Sequence, residues 1–413
     1  MLNFELKKVQ WDERLGFGIE FEFALATLSL GTKDPDPEQG RQIYSIDVPL
    51  DTPERDPHTL TDIERQLNVQ LHIVNTLRTE RHRASSQMQL ERDRIAWKNG
   101  DLDTEPDPSD VQWMVKHDDT IQFPSTGVNS YNWYKVEICT PGLMFSPWNI
   151  RHVWSVLRIL RNKYRLNCNE SCGLHVHVGT GKKEFSLDIL KNLMGLIFTF
   201  ERQLEQIHPL HRIYHNPSTY SLRDHANINQ NFEPGKNFSC SDRSWKSNRI
   251  KDRIRRNLPF TIAPARSVKD SLAAIFDATS KAEMVQMFRS DEDVRLGYNI
   301  QFLNEPYPDP FKHTIEFRHH AATTSPERIE RWLNIWCRLV DVARQTASAT
   351  DEEKGDFRKF LVDHVEDDVE DFGLSMLLVS LGLMEEADYY SMERALRPDA
   401  RPDRKSMHST TSS

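Results

Sequence analysis

Two glutamates spaced two residues apart introduce the chemistry of this chain. The segment GIEFEF carries Glu20 and Glu22. In an extended strand alternate residues share a face, so both carboxylates project to one side while Ile19, Phe21 and Phe23 project to the other. Neighbouring carboxylates on one face repel and raise each other's pKa unless a cation neutralises them, so the pair points to a bound cation. CGLHVHVG repeats the construction with His175 and His177 opposite Leu174, Val176 and Val178. TIEFRHH repeats it with Glu316, Arg318 and His320, and KVEICTP sets Glu137 between Val136 and Ile138.

Any half-buried antiparallel sheet alternates apolar and polar residues, and its polar face often only meets water. A solvated face mixes Lys, Thr, Ser and Gln, whereas these positions hold four Glu, three His and one Arg. A donor set dominated by carboxylate oxygen suits Mg²⁺ or Mn²⁺, while zinc favours His and Cys. Magnesium brings phosphate with it, and Arg318 supplies a planar fork for phosphate oxygens, as phosphoryl transfer from a nucleotide requires.

The elements that must position these groups are legible as well. A strand is expected over residues 15–30, then a turn-rich break, GTKDPDPEQGRQ, and a helical pattern from about Thr61 to Lys98 with Ile63, Leu67, Leu71, Val74 and Leu77 at helical spacing. Residues 31–110 read as a mostly helical excursion from the main sheet. Short strands are expected at 111–117, 135–140, 173–178 and 314–318. Helices are expected after Ser146–Pro147, with Ile150, Val153, Trp154, Leu157 and Leu160 as one stripe, after Ser186, and after Ser325–Pro326, with Ile329, Trp332, Leu333, Trp336 and Leu339 inward. Further helices fill 351–396. The chain thus reads as α+β: a catalytic domain over 1–346, a helical segment over 347–396, and a polar, disordered tail over 397–413.

Composition narrows the function classes. Of 413 residues, 38% are hydrophobic and 28% charged, which is globular usage, and the formal net charge of −9 argues against non-specific binding to nucleic acid or anionic membranes. The start, MLNFELKKVQ, lacks a secretory pattern, and no apolar stretch is long enough to span a bilayer. Five cysteines without CxxC spacing fit reduced thiols, so a soluble cytoplasmic or nuclear protein is expected. Cys139 and Cys172 are read as buried structural thiols without a catalytic role.

At this point the motifs form a set. GIEFEF, HDDTI, EICTPGL, SCGLHVHVG and TIEFRHHAATT stand in this order between about residues 16 and 340, and the chain resembles the amidoligase family, carboxylate-amine ligases related in fold to glutamine synthetase and glutamate-cysteine ligase. The resemblance implies a curved antiparallel sheet forming a funnel, with helices on its outer face and metal ions between ATP and a carboxylate at its floor. It implies that Glu20 and Glu22 ligate two different magnesium ions, that Glu137, His175 and Glu316 complete the ligand sets, that His177 contacts ATP phosphate, and that Arg318 steadies the transferring phosphoryl group. Asp118 of HDDTI matches an acidic position facing the amine or substrate. The implied reaction forms an acyl phosphate and then an amide between a carboxylate and an amine, releasing ADP, with small molecules or peptides as substrates. The chain departs from the family pattern at Asp118, Asp119 and Thr120, at His319 where Gln is common, and in AATT after the last strand.

Two other readings stay open at this stage. An HxH pair on a strand also begins the sites of zinc hydrolases, although these need further His or Asp ligands where this chain has Glu. A non-catalytic member of the same fold that binds a nucleotide or amino acid is the other. HPLHRIYH, with His208, His211 and His215, is broken by Pro209, has no carboxylate partner nearby in sequence, and is not read as a metal site. The basic, aromatic stretch SWKSNRIKDRIRR could bind an adenine ring or an acidic substrate, but such a stretch is more often a solvated helix face.

Overall fold

The computed structural model describes residues 15–29, 31–36, 61–107, 109–125, 131–181, 184–213, 219–229, 266–290, 295–303 and 313–396. Among them are nine strands and twelve helices, with antiparallel strand pairing predominating, so the chain is α+β. The tail after 396 and SWKSNRIKDRIRR lie outside the described residues, as does His215. Two compact units divide the chain: one holds described residues up to 177 together with 321–332, the other holds 178–320 and 333–396. Among the described residues no helix is long and apolar enough to cross a membrane.

The first unit is built on β1 (Gly16–Thr27), whose alternation gives way after Glu20 to a fully buried run, FEFALAT. Residues 61–98, which read as one helical pattern, are two helices. α1 (Asp62–Thr79) opens with a capping box between Thr61 and Glu64. It ends where Arg81 adopts the left-handed conformation at φ 66°, and a short strand, β2 (Ala84–Ser86), follows before α2 (Gln87–Asn99). The inward face of α1 also differs from the expected stripe: Val69, Ile73, Val74 and Leu77 are buried, while Ile63 is 69% exposed. β2 pairs in parallel with β3 (Trp113–Lys116), so the excursion contributes a strand to the sheet instead of standing apart from it.

β3 pairs with β4 (Asn132–Cys139), and β4 with β1, both antiparallel. β5 (Leu143–Met144) and β6 (Leu166–Asn167) also pair with β1. Between these two lies α3 (Pro147–Lys163), where the Ser146 hydroxyl accepts from the Asn149 N–H and Pro147 opens the helix as expected. Its buried stripe is Ile150, Val153, Val156, Leu157 and Leu160, with Val156 in the place expected of Trp154. β7 (Gly173–Gly179), on the other side of β1, gives the strand order β2-β3-β4-β1-β7.

The second unit is mostly helical. α4 (Leu187–Glu205), capped by Ser186, is buried over most of its surface, and a Cβ at Gly195 would stand 3.0 Å from the ring of Phe276. The short helices α5 (Leu210–Ile213) and α6 (Leu222–His225) follow, then α7 (Val268–Asp277) and α8 (Lys281–Met287). β8 (Tyr298–Asn299) pairs antiparallel with β9 (Ile315–Ala321). α9 (Pro326–Ala347), of which residues 333–347 belong to this unit and those up to 332 to the first, buries Ile329, Trp332, Leu333, Trp336 and Leu339 as its spacing predicts. α10 (Asp351–His364), α11 (Leu374–Ser380) and α12 (Met384–Ala395) complete the expected C-terminal helices.

Candidate functional site

Antiparallel register decides which side chains meet, because directly opposed residues project to the same face. Here Glu22 lies opposite Glu137 and Glu20 opposite Cys139, while on the next strand Lys116 lies opposite Glu137 and Met114 opposite Cys139. The result is a row across three strands, Lys116–Glu137–Glu22, with Cys139 and Glu20 in the adjoining row. Two carboxylates set directly opposite each other destabilise a sheet unless positive charge compensates.

One ammonium and two imidazoles stand against these carboxylates. The Lys116 ammonium is 3.1 Å from Glu137 Oε1 and 3.9 Å from Glu20 Oε1. His175 spans the glutamate pair of β1, with Nδ1 3.1 Å from Glu20 Oε2 and Nε2 3.4 Å from Glu22 Oε1. His177 Nε2 lies 3.4 Å from Glu20 Oε1. The Gly173 N–H at the head of β7 donates to Glu22 Oε2 at 2.6 Å, and the Cys139 thiol donates to Glu137 Oε1 at 2.9 Å.

The electrostatics follow from this packing. Burial works to raise the pKa of Glu20, yet His177, the hydrogen bonds from His175 and His177, and Lys116 together hold it well below the usual carboxylate range. At Glu137 burial and the Glu20 charge prevail over Lys116 and push the carboxyl up. Burial would lower the Lys116 ammonium, but Cys139, Glu137 and Glu20 around it drive it up. The Cys139 thiol is pushed well up by burial, Glu137 and Glu20.

Asp118 stands in the turn after β3, half-buried, where its Oδ1 accepts from the Thr120 N–H and hydroxyl at 2.7 Å each. One carboxylate oxygen from each of Glu22, Asp118 and Glu137 lies within 4.8 Å of the others. An all-oxygen set of this spread fits a hard divalent ion such as Mg²⁺ or Mn²⁺. Six of the expected site residues, Glu20, Glu22, Asp118, Glu137, His175 and His177, therefore converge within the first unit.

Glu316 and Arg318 belong to the second unit. They share a face of β9 and form an ion pair with each other, and Asn299, opposite Glu316 on β8, donates to Glu316 Oε2 at 2.9 Å. Arg212, only 2% exposed, donates from Nη2 to the Arg318 carbonyl at 2.6 Å and from Nε to the His319 carbonyl at 3.2 Å, tying down the backbone that carries Arg318. His208 is no part of a metal cluster among the described residues; it is buried and stacked on His319 at 5.5 Å. Burial first, then the Arg212 and Arg318 charges, lower His319 to about 3.

Lys116, Asn299 and Arg212 escaped the sequence reading. WMVK is buried through its first three residues and shows no alternation to single out Lys116, and β8 is two residues long. Cys139 did carry a signal: in EIC it shares parity, hence face, with Glu137.

The face therefore gathers carboxylates and imidazoles from β1, β4, β7 and the turn after β3. The family comparison is more particular. Residues 13–340 match the family described as "putative amidoligase enzyme", and the chain belongs to that family of ligase-type enzymes. No curated protein matches the chain.

Proposed function

We propose that the protein is an ATP-dependent carboxylate-amine ligase, releasing ADP and phosphate as it forms an amide. The observation that carries this reading is the convergence of Glu22, Asp118 and Glu137, three carboxylates from β1, β4 and the turn after β3, into one oxygen-only donor set beside Glu20, His175 and His177. Glu20, Glu22, Glu137, His175 and Glu316 would hold Mg²⁺ or Mn²⁺, and the bound ions would neutralise charge on the transferring phosphoryl group. Glu316, Arg318 and the glutamine synthetase-like fold enter through the order of the family motifs, from GIEFEF to TIEFRHH.

In this reading a substrate carboxylate oxygen attacks the γ-phosphorus of ATP and the bond to the β,γ-bridging oxygen breaks, leaving an acyl phosphate and ADP. The amine then adds to the acyl carbon, loses a proton and expels phosphate. Arg318 neutralises the phosphoryl oxygens, His177 contacts phosphate, and Asp118 faces the amine, whose proton passes to solvent. No side-chain nucleophile is required. The protein's work is to hold the carboxylate in line with the γ-phosphate.

The test is substrate-dependent release of ADP and phosphate with Mg²⁺ across amino acids, peptides and polyamines, with the conjugate identified by mass. Glu316→Gln and Arg318→Ala are each expected to abolish ATP consumption while the far-ultraviolet circular dichroism stays native. Unchanged turnover in either variant would remove that residue from the mechanism.

A further inference from the structure

Beyond the β8–β9 pairs of Asn299 with Glu316 and Tyr298 with Phe317, the same register sets Gly297 opposite Arg318. The Arg318 N–H donates to the Gly297 carbonyl at 2.9 Å. A regular antiparallel pair of this kind exchanges both bonds, which would bring the Gly297 N–H to the Arg318 carbonyl. It donates to the Tyr220 carbonyl instead, at 2.9 Å, and the Tyr220 N–H donates to the Arg295 carbonyl. The ladder thus turns aside from β9 at the residue whose guanidinium the proposed reaction uses.

Arg212 takes up the bond that Gly297 does not return. Its Nη2 donates to the Arg318 carbonyl at 2.6 Å and its Nε to the next carbonyl, that of His319, at 3.2 Å. The Thr219 hydroxyl donates to the carbonyl of Arg212 itself at 2.7 Å, so the residue is held from behind as well. Arg212 and Thr219 are both buried, and all of these groups lie in the second unit. With the N–H and the carbonyl of Arg318 both bonded, the peptide planes on either side of its Cα are fixed, and with them the direction in which its side chain leaves the strand. The ion pair with Glu316 then fixes the far end.

We propose that Arg212 is a positioning residue for Arg318, holding that guanidinium where the phosphoryl oxygens arrive during transfer while touching neither nucleotide nor substrate itself. Lysine cannot stand in for it, because two consecutive carbonyls are served by two nitrogens of one planar group and an ammonium offers a single point. This inference rests on the reading of Arg318 as the group that neutralises the transferring phosphoryl.

The test titrates the full chain, in Mg²⁺, with two nucleotide probes: ADP with aluminium fluoride, which resembles the planar phosphoryl group in transfer, and non-hydrolysable AMP-PNP, which resembles ATP at rest. The native chain is expected to bind the fluoride complex more tightly. Arg212→Lys should weaken the fluoride complex about tenfold or more, the scale on which residues behind a site act, and leave AMP-PNP within about twofold. Affinity is read from the midpoint of the curve, so a fraction of unfolded chain lowers the amplitude and does not move it. Thr219→Val keeps the guanidinium and removes only the bond to its backbone; it should shift the ratio of affinities in the same direction, and it decides the matter if Arg212→Lys does not fold. An unchanged ratio, whether both affinities stay or both fall equally, overturns the positioning role and leaves the ligase reading standing. A native chain that binds both probes equally removes Arg318 from the phosphoryl group and this inference with it. A native chain that binds neither overturns the ATP-dependent reading as well.

Discussion

Glu201 and Glu137 are both carboxylates withdrawn from water, and their surroundings differ in kind. Glu201, on α4, accepts from the Ser221 hydroxyl at 2.8 Å and from the N–H groups of Leu222 and Arg223 at 2.6 and 2.9 Å, so it caps α6 from outside the helix. Arg223 in turn donates to the carbonyls of Phe198, Thr199 and Val365, the first two lying just before the non-helical Phe200 inside α4. Every one of these partners is a neutral group or a fixed backbone dipole. Glu137 instead faces Glu22 and is compensated by the side-chain charge of Lys116 on the neighbouring strand. The first arrangement is complete as it stands and serves the fold. The second is balanced by side-chain charge instead of backbone dipoles, so its carboxylates keep acceptor capacity that the backbone does not take up.

The sharpest way to break this comparison is to remove each carboxylate. Glu201→Ala would strand three buried donors at once, and we expect it to cost about 3 kcal/mol or more, read as a lowered urea midpoint. A cost near zero would mean that water replaces the carboxylate and that α6 does not depend on it.

His319 sharpens the contrast from the side of pH. Its folded pKa of about 3 lies below the unfolded value, so the fold favours the neutral ring. The stability this contributes is fully present above about pH 6.5 and is lost as pH falls toward 3, reaching about 2 kcal/mol lost by about pH 5. A Cβ at Gly297 would stand 1.6 Å from the ring's Cε1, which shows how closely the backbone approaches this imidazole. In His319→Phe the part of the acid sensitivity between pH 6.5 and 5 should disappear from denaturation curves; its persistence would assign the effect to other groups.

The smallest effect is expected where the chemistry is richest. Glu137→Gln removes a carboxylate that opposes Glu22 and keeps the shape, so the stability change should stay below about 1 kcal/mol while ATP turnover is lost. A loss as large as that of Glu201→Ala would show that Glu137 serves the fold as Glu201 does, and the distinction between the two regions would fall.

Much of the candidate site was legible because strand parity is a strict rule. Once GIEFEF and GLHVHVG are extended, Glu20 with Glu22 and His175 with His177 must share faces, whatever the rest of the chain does. The helices after Ser146 and Ser186 were legible for a local reason too, the hydroxyl that caps each first turn. What escaped depends on pairing across long stretches of sequence. Lys116 becomes a site residue only because β3 lies beside β4 in a register that sets it opposite Glu137, and nothing in WMVK records that register. β2 is three residues long, too short for periodicity to show, and it lay hidden inside what looked like one helical pattern because Arg81 takes a conformation that non-glycine residues seldom adopt.

The placement of Lys116 at the end of β3 has a consequence for how the chain finds its native pairing. Val115 is fully buried and its neighbour Lys116 faces the carboxylates, so sliding β3 by one residue would turn a lysine into the core and present a valine to Glu137. A misaligned strand is therefore penalised twice, once by an interred ammonium and once by uncompensated acids. The charge row acts as a checksum on assembly: the register that buries Val115 is the one that sets the lysine opposite Glu137 in the row with Glu22.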